Sequence, residues 1–388
     1  MKKIGILTHY HNTTNYGGAL QAYALCKILN NQGYDCEQID IDFTDKMFNL
    51  RTGFLKQWLK SLWILKPVKL IYKKLRKKVE TANSEQAVLK MQWEIAFAEF
   101  LYNLIPHSDQ MYNTINIDET LSYYDVFITG SDQVWNPLWY YEPFFLTFVT
   151  NDKKKLSYAA SISQKELTRK EEVLFSLHLE SFDAISVRES NAIDLLADVT
   201  DKPVEHVLDP TLLLSLDDWN AITAERVVDG PYAYCYFLGD DDGMRHLANA
   251  YAKNKNIKLV NIKHVCGIYH YNDLQYGDFI LDTSTPNEFL SLIKHADIVF
   301  TDSFHASVFS IIFESQFFCF SRSEFSGMET RLESLLELFE LEERYQGKVD
   351  LRDIERILQI EDIHYPLQSE KYELEKEKSL EFLRRSIG

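Results

Sequence analysis

The chain has 388 residues, of which 46% are hydrophobic and 26% charged, and a formal net charge of −17. This is globular composition, which excludes disordered and fibrous classes, and its length suits two domains of roughly 100–200 residues each. The acidic balance argues against nucleic acid as a partner, because phosphate backbones need a basic face. The five cysteines are scattered and show no CxxC or Cys/His spacing. Neither a disulfide framework nor a metal site is expected, and a reducing cytoplasm fits. No apolar run approaches the about 20 residues of a membrane span, and the apolar stretch after Lys2-Lys3 is too short for an export signal.

In chain order, Lys3 to Thr8 reads as a buried parallel strand. A polar loop, His9 to Gly18, follows, and Ala19 to Asn31 has one apolar helical face ended by Gly33. With the strand Cys36 to Ile41 this makes a β-loop-α-β unit, the seed of a doubly wound fold. Residues 46–105 read as a basic, mainly helical insertion. Short strands follow at 125–129, 155–161, 184–187 and 206–208, each ending in a polar or tight-turning segment.

A second series starts near Gly230. It has strands at 232–237, 258–262, 297–300 and 317–320, and helical stretches at 240–254, 286–295, 306–314 and 331–341. A charged helix, 370–385, closes the chain. The expected architecture is α/β: two Rossmann-like doubly wound domains in a GT-B-like arrangement, 1–220 and 221–365, with 366–388 packing back across them. Ligands of such a fold sit between the C-terminal ends of the two sheets.

Four segments at strand ends carry candidate chemistry. Thr301-Asp302-Ser303-Phe304-His305 precedes an apolar helix, whose N-terminus attracts anions. His305 suits a charge-assisted bond or a proton transfer, and the structural alternative is an N-cap beside a buried histidine. Arg188, at the mouth of a strand, suits bidentate recognition of carboxylate or phosphate, or else an ion pair with Glu189 or a nearby acid. Asn15-Tyr16-Gly17-Gly18 reads as a ligand-cradling loop or a plain helix start. It is not GxGxxG and has no Walker lysine. In Gly130–Pro137, Asp132 suits a base toward a sugar hydroxyl and Trp135 a stacking surface for a sugar ring; the alternatives are a capping Asp and a core Trp.

Together these segments resemble the polysaccharide pyruvyl transferase family. The resemblance runs through Asn-Tyr-Gly-Gly-Ala-Leu-Gln-Ala-Tyr-Ala-Leu (15–25), Gly-Ser-Asp-Gln-Val-Trp-Asn (130–136) and Ser-Tyr-Ala-Ala-Ser (157–161). It continues through Ser-Val-Arg-Glu (186–189), Val-Leu-Asp-Pro-Thr (207–211) and Thr-Asp-Ser-Phe-His (301–305), and ends at Arg331-Leu332 and Ser334-Leu335-Leu336. It implies transfer of pyruvate from phosphoenolpyruvate to a sugar as a ketal, with no cofactor or metal, in capsule or exopolysaccharide biosynthesis.

His305 matches the family's histidine near the start of a C-terminal-domain helix, and Arg188 its arginine at an N-terminal-domain strand end. Family members often carry Arg two residues before that histidine, where this chain has Ser303. Arg331 or Arg322 would then supply the missing charge. The implied assignments are His305 and Asp132 as catalytic residues, Arg188, Ser303 and Arg331 for the donor, and Asn15, Tyr16 and Trp135 for the acceptor. The acceptor would be a sugar or lipid-linked oligosaccharide. A nucleotide-sugar glycosyltransferase and a non-catalytic member of a polysaccharide assembly complex are the alternatives.

Between Arg51 and Val79 stand Arg51, Lys56, Lys60, Lys66, Lys69, Lys73, Lys74, Arg76, Lys77 and Lys78, with no acid among them. Trp58, Leu62 and Leu65 are interleaved at helical spacing. That pattern suits peripheral contact with the inner face of a membrane or, equally, a helix packed on the core with solvated lysines.

Overall fold

The computed structural model describes residues 2–42, 69–263, 273, 276–322, 329–366 and 369–388, with the backbone alone between 69 and 86. The N-terminal region contains β1 (Lys3–Leu7), α1 (Tyr16–Asn31), β2 (Asp35–Gln38), α2 (Lys69–Leu104), β3 (Val126–Thr129) and β4 (Lys154–Ser157). It continues with α3 (Arg169–Leu179), β5 (Ile185–Val187), α4 (Asn191–Ala197), β6 (Val204–His206) and α5 (Leu216–Asn220). The C-terminal region contains β7 (Tyr232–Tyr236), α6 (Asp242–Lys255), β8 (Lys258–Ile262), β9 (Phe279–Leu281), α7 (Pro286–Lys294) and β10 (Ile298–Thr301). After it come α8 (Phe304–Ile312), β11 (Phe317–Cys319), α9 (Glu329–Phe339), α10 (Ile354–Leu358) and α11 (Glu370–Ile387).

The first sheet runs β2-β1-β3-β4, all parallel, with Ile6 opposite Gln38 on one side and Ile128 on the other. Bridges Leu156–Ala184 and Ala160–Val187 carry it on to the parallel pair β5-β6. The second sheet, also parallel, runs β11-β10-β7-β8-β9. Parallel strands covered on both faces read as unbroken apolar runs, and Val126-Phe127-Ile128 and Ile298-Val299-Phe300 are buried throughout. Each sheet reverses its strand order once, between β1 and β3 in the first and between β7 and β10 in the second. Loops leaving the carboxyl ends of those four strands open a crevice where doubly wound proteins bind ligands.

Helix α1 begins at Tyr16, three residues before the apolar periodicity does. Asn15 caps it by accepting from Gly18 N at 3.3 Å. The pair Gly17-Gly18, unfavourable inside a helix, is thus part of its first turn.

One apolar cluster passes from Ile4 and Leu20 in the first domain to Phe289 and Val299 in the second. Tyr16 is a joint in it. Its ring stacks on Phe289 with centroids 4.1 Å apart and planes 5° apart, and its hydroxyl donates to Ser284 O at 3.0 Å. Trp93 of α2 packs beside it and donates from Nε1 to Asp282 O at 3.0 Å. At the far end α11 crosses back onto the first domain. There Ser379 Oγ accepts from Leu208 N at 2.9 Å, and Lys154 Nζ donates to Ser386 O at 3.0 Å.

The backbone of 69–104 is helical, as the insertion's pattern predicts. Residues 51–68 and the side chains of 69–86 lie outside the described residues, and with them the basic segment considered for membrane contact. Among the described residues no helix is long and apolar enough to cross a membrane.

Candidate active site

A cleft of about 350 Å³ lies between the domains at both reversals of strand order. The β1 loop brings His9, His11, Asn12, Thr13 and Asn15 to it, and the β3 loop brings Asp132 and Gln133. From the second domain, the loop after β7 brings Leu238, and β10 runs into Ser303, Phe304 and His305 at the start of α8. Arg322 and Arg331 complete the lining.

His305 belongs to the second domain but is held by the first. Its Nε2 stands 3.5 Å from Asp209 Oδ2, an ion-pair distance without hydrogen-bond alignment. Its ring lies over Gly17, where a Cβ would come 2.0 Å from Nδ1. A side chain at 17 would therefore have to displace the imidazole or part the domains. This close approach explains a glycine in the first turn of α1.

Asp209 is the hub of this network. Oδ2 accepts from Arg188 NH1 at 2.8 Å and from Ser131 Oγ at 3.1 Å. Oδ1 accepts from Thr211 N at 3.0 Å and from Thr211 Oγ1 at 2.6 Å. Burial alone would raise its pKa, but His305, Arg188 and the Thr211 bonds outweigh burial and hold the carboxyl far below its ordinary range.

Asp132 has a left-handed backbone (φ 69°) and meets Arg188 NH2 at 3.3 Å. Burial again opposes ionisation, and Arg188, His305, His9 and Arg331 overcome it, so its pKa is lowered. Asp132 is thus held as an anion by the cations around it. Arg188 requires a correction. Its terminal nitrogens are engaged by Asp209 and Asp132, its guanidinium lies 4.8 Å from the Phe304 ring centroid, and it stands behind the cleft lining. It fixes the carboxylates and does not face an open donor site.

Arg331 is the contrasting arginine. It is 6% exposed, and no carboxylate among the described residues comes within ion-pair distance. With the Gln133 amide turned so that its oxygen faces Arg331, the two terminal nitrogens lie 3.0 and 2.8 Å from that oxygen, while Nε has no partner among the described residues. Burial and the neighbouring cations Arg188 and Arg322 push its pKa down to about 9, still above neutrality, so the group is charged. A buried cation without an anion costs several kcal/mol (about 3–5 when a buried pair is broken), and a bound anion offsets that cost.

Arg322 lies nearby, its Nε 3.5 Å from Asp302 Oδ2 and its NH2 donating to Asp302 O at 3.3 Å. Asp302 itself is structural: its oxygens accept from Leu238 N and Gly239 N, both at 2.7 Å, and so pin the β7 loop. Ser303 caps α8 by accepting from Ala306 N at 3.4 Å and also lines the cleft. Asn15 likewise both caps its helix and lines the cleft.

Two residues assigned to the acceptor lie elsewhere. Trp135 is 1% exposed, stacks on Phe145 with planes 8° apart, and donates from Nε1 to Phe144 O at 3.2 Å. It belongs to the first domain's core, among Val134, Phe144, Phe145 and Phe175. Tyr16 is wholly buried in the domain joint. Neither can offer a face to a sugar.

Asp209, Gln133 and the pair His11–Asp40 were not singled out as site residues from sequence. Asp209 stood in a quoted motif, yet only the fold brings it to His305, 96 residues on. A pocket of about 670 Å³ along α11 has charges that already satisfy each other, as in Lys378–Glu375 and Arg385–Glu205.

Comparison with known proteins agrees with this picture. Residues 15–324 match the family model of polysaccharide pyruvyl transferase. No curated protein matches the sequence. Among solved structures, the UDP-GlcNAc 2-epimerase of Methanocaldococcus jannaschii is similar over 99% of both chains, at 12% identity and a TM-score of 0.54. A Listeria monocytogenes protein assigned as a UDP-N-acetylglucosamine 2-epimerase is similar over 99% of this chain and 91% of its own, at 11% identity and a TM-score of 0.50. At such identities the likeness extends to the fold, a GT-B-like pair of Rossmann-like domains.

Proposed function

The chain belongs to the polysaccharide pyruvyl transferase family, and from that premise we propose that it moves pyruvate from phosphoenolpyruvate onto a sugar as a ketal, for a cell-surface polysaccharide. The observation that carries the reading is Arg331, a buried guanidinium with no carboxylate at ion-pair distance among the described residues, beside Arg322, Ser303 and His305 in the interdomain cleft. Phosphoenolpyruvate carries a phosphate and a carboxylate within a few bonds, and this cluster offers complementary cations and a helix N-terminus. The arginine absent at Ser303 is compensated in space by Arg331.

His305 binds the phosphate or gives the proton that the enol carbon needs, and Asp209 and Gly17 fix its ring. Arg188 holds Asp132 and Asp209 in place, and Asp132 accepts hydrogen bonds from acceptor hydroxyls. Asn15 and Thr13 lie on the acceptor side of the same cleft. The acceptor is a sugar, free or carried on a lipid.

The test is incubation with phosphoenolpyruvate and a panel of nitrophenyl and lipid-linked sugars, following phosphate release and a pyruvyl mass increment on the sugar. Wild type should give both signals together, and His305→Ala should lower both by about 10²–10³. Displacement of a bound reporter by nucleotide sugars but not by phosphoenolpyruvate would reject this reading in favour of glycosyl transfer.

A further inference from the structure

We infer that His11, oriented by Asp40, is the base that takes the proton from the attacking hydroxyl of the acceptor; the inference rests on the pyruvyl-transfer reading above. His11 follows β1 at the first sheet's reversal of strand order and lines the cleft. Its Nδ1 lies 2.5 Å from Asp40 Oδ1, and the two side chains are 6% and 11% exposed. Asp40 is held in turn by Ser108, whose Oγ accepts from Asp40 N at 2.9 Å.

The Asp40 side sets the tautomer: a carboxylate only accepts, so Nδ1–H is the donor and Nε2 of the neutral ring the acceptor, the pairing a general base requires. His11 Nε2 lies 2.7 Å from Asn12 Nδ2, and Asn12 Oδ1 accepts from the Tyr102 hydroxyl at 3.2 Å. Asn12 is exposed and has φ 47°, so a substrate hydroxyl can take the place of its amide without disturbing buried structure.

The other titratable groups of the cleft are engaged by near neighbours. His9 meets the Phe144 ring edge-on at 4.8 Å and hydrogen-bonds the Gln133 backbone, Asp132 is ion-paired to Arg188 with a lowered pKa, and His305 is turned toward Asp209. Tyr10, near Asp40, gives its hydroxyl to Leu101 O at 2.8 Å.

In the step, the hydroxyl O–H bond breaks and its electron pair forms the O–C2 bond of the enolpyruvyl group. The proton passes to Nε2 of His11, while the C2=C3 π pair takes a proton at C3 from the acid side of the cleft. Phosphate then leaves with the C2–O pair as the second hydroxyl closes the ketal, its O–H pair forming the second O–C2 bond and its proton returning to the acid side of the cleft. The proton on His11 is released to phosphate or water.

His11→Ala is compared with wild type for turnover, donor affinity and thermal unfolding, with and without added imidazoles of graded basicity. The expected result is a loss of about 10²–10⁴ in kcat, unchanged phosphoenolpyruvate affinity, and a rate partly restored by imidazoles, the more basic ones restoring more. Asp40→Asn should lower kcat in the same direction and, if His11→Ala does not fold, decides the matter. Turnover within about threefold of wild type in both variants overturns the inference, and so does a loss that no imidazole restores. A wild type that never consumes phosphoenolpyruvate with any sugar would instead reject the pyruvyl-transfer reading itself.

Discussion

At the first sheet's reversal the cleft meets His9, His11, Asp132 and Gln133; at the second sheet's reversal it meets Ser303, His305, Arg322 and Arg331. Both sets hang from loops after parallel strands, so the two halves share one construction. They differ in charge. The first half supplies a carboxylate and imidazoles, and burial lowers the pKa of His9. The second supplies guanidiniums and a helix N-terminus. One side is suited to hydroxyls and proton acceptance, the other to anions. A two-domain enzyme can thus divide donor and acceptor between its halves and complete the site only where they meet.

The sharpest way to break that division is at the meeting point. Gly17→Ala places a methyl group 2.0 Å from His305 Nδ1. A displacement of this size in a catalytic group costs on the order of 10² in rate. Turnover should fall by at least that factor with circular dichroism unchanged. A fully active alanine variant would show that His305 need not stand against α1.

A second comparison separates the halves. Arg331→Ala should weaken phosphoenolpyruvate binding by roughly 30-fold, about 2 kcal/mol, the lower end of the cost of truncating a buried charge partner. Asp132→Asn should instead raise KM for the sugar and leave donor affinity nearly intact. Isothermal titration with each substrate reads both, and equal effects of the two variants on both substrates would dissolve the proposed division.

The smallest effect concerns acid stability. The Asp209 carboxyl is held far below its ordinary value of 3.8 in the folded protein. The folded state therefore binds fewer protons than the unfolded one below that pH. The stabilisation is complete above about 3.8 and is lost as pH falls toward the folded value. Thermal unfolding of wild type should show this loss on the acid side, and Asp209→Asn should have a flatter profile there. Parallel profiles would mean that Asp209 titrates normally.

Much of the fold was legible locally. Strand β8 falls at Lys258–Ile262 as its apolar run predicts, and α7 begins at Pro286, where Pro follows a Thr285/Glu288 capping box. Other elements escaped notice. Strand β9 (Phe279–Leu281) is short and half exposed, and α3 (Arg169–Leu179) buries only Glu171, Phe175 and Leu179, so neither shows strong periodicity. At the site, His305, Ser303, Asn15 and Arg331 do line the cleft, whereas Trp135 and Tyr16 do not. An aromatic residue in a strand-end loop has the same local signature whether it turns to a ligand or to the core.

What the sequence alone determined is therefore what depends on near neighbours: parallel strands, helix starts, the family motifs and the polar loops that follow each strand. Which of two arginines is free for an anion was beyond its reach. Arg188 and Arg331 both follow or open regular elements, and nothing within ten residues distinguishes them. The tertiary structure distinguishes them, because folding brings Asp132 and Asp209, 56 and 21 residues from Arg188, into ion pairs with that guanidinium, while among the described residues no carboxylate comes so close to Arg331, which has the neutral Gln133 beside it. Charge pairing in a buried cleft is a property of distances between remote segments, and those distances exist only once both sheets are packed together.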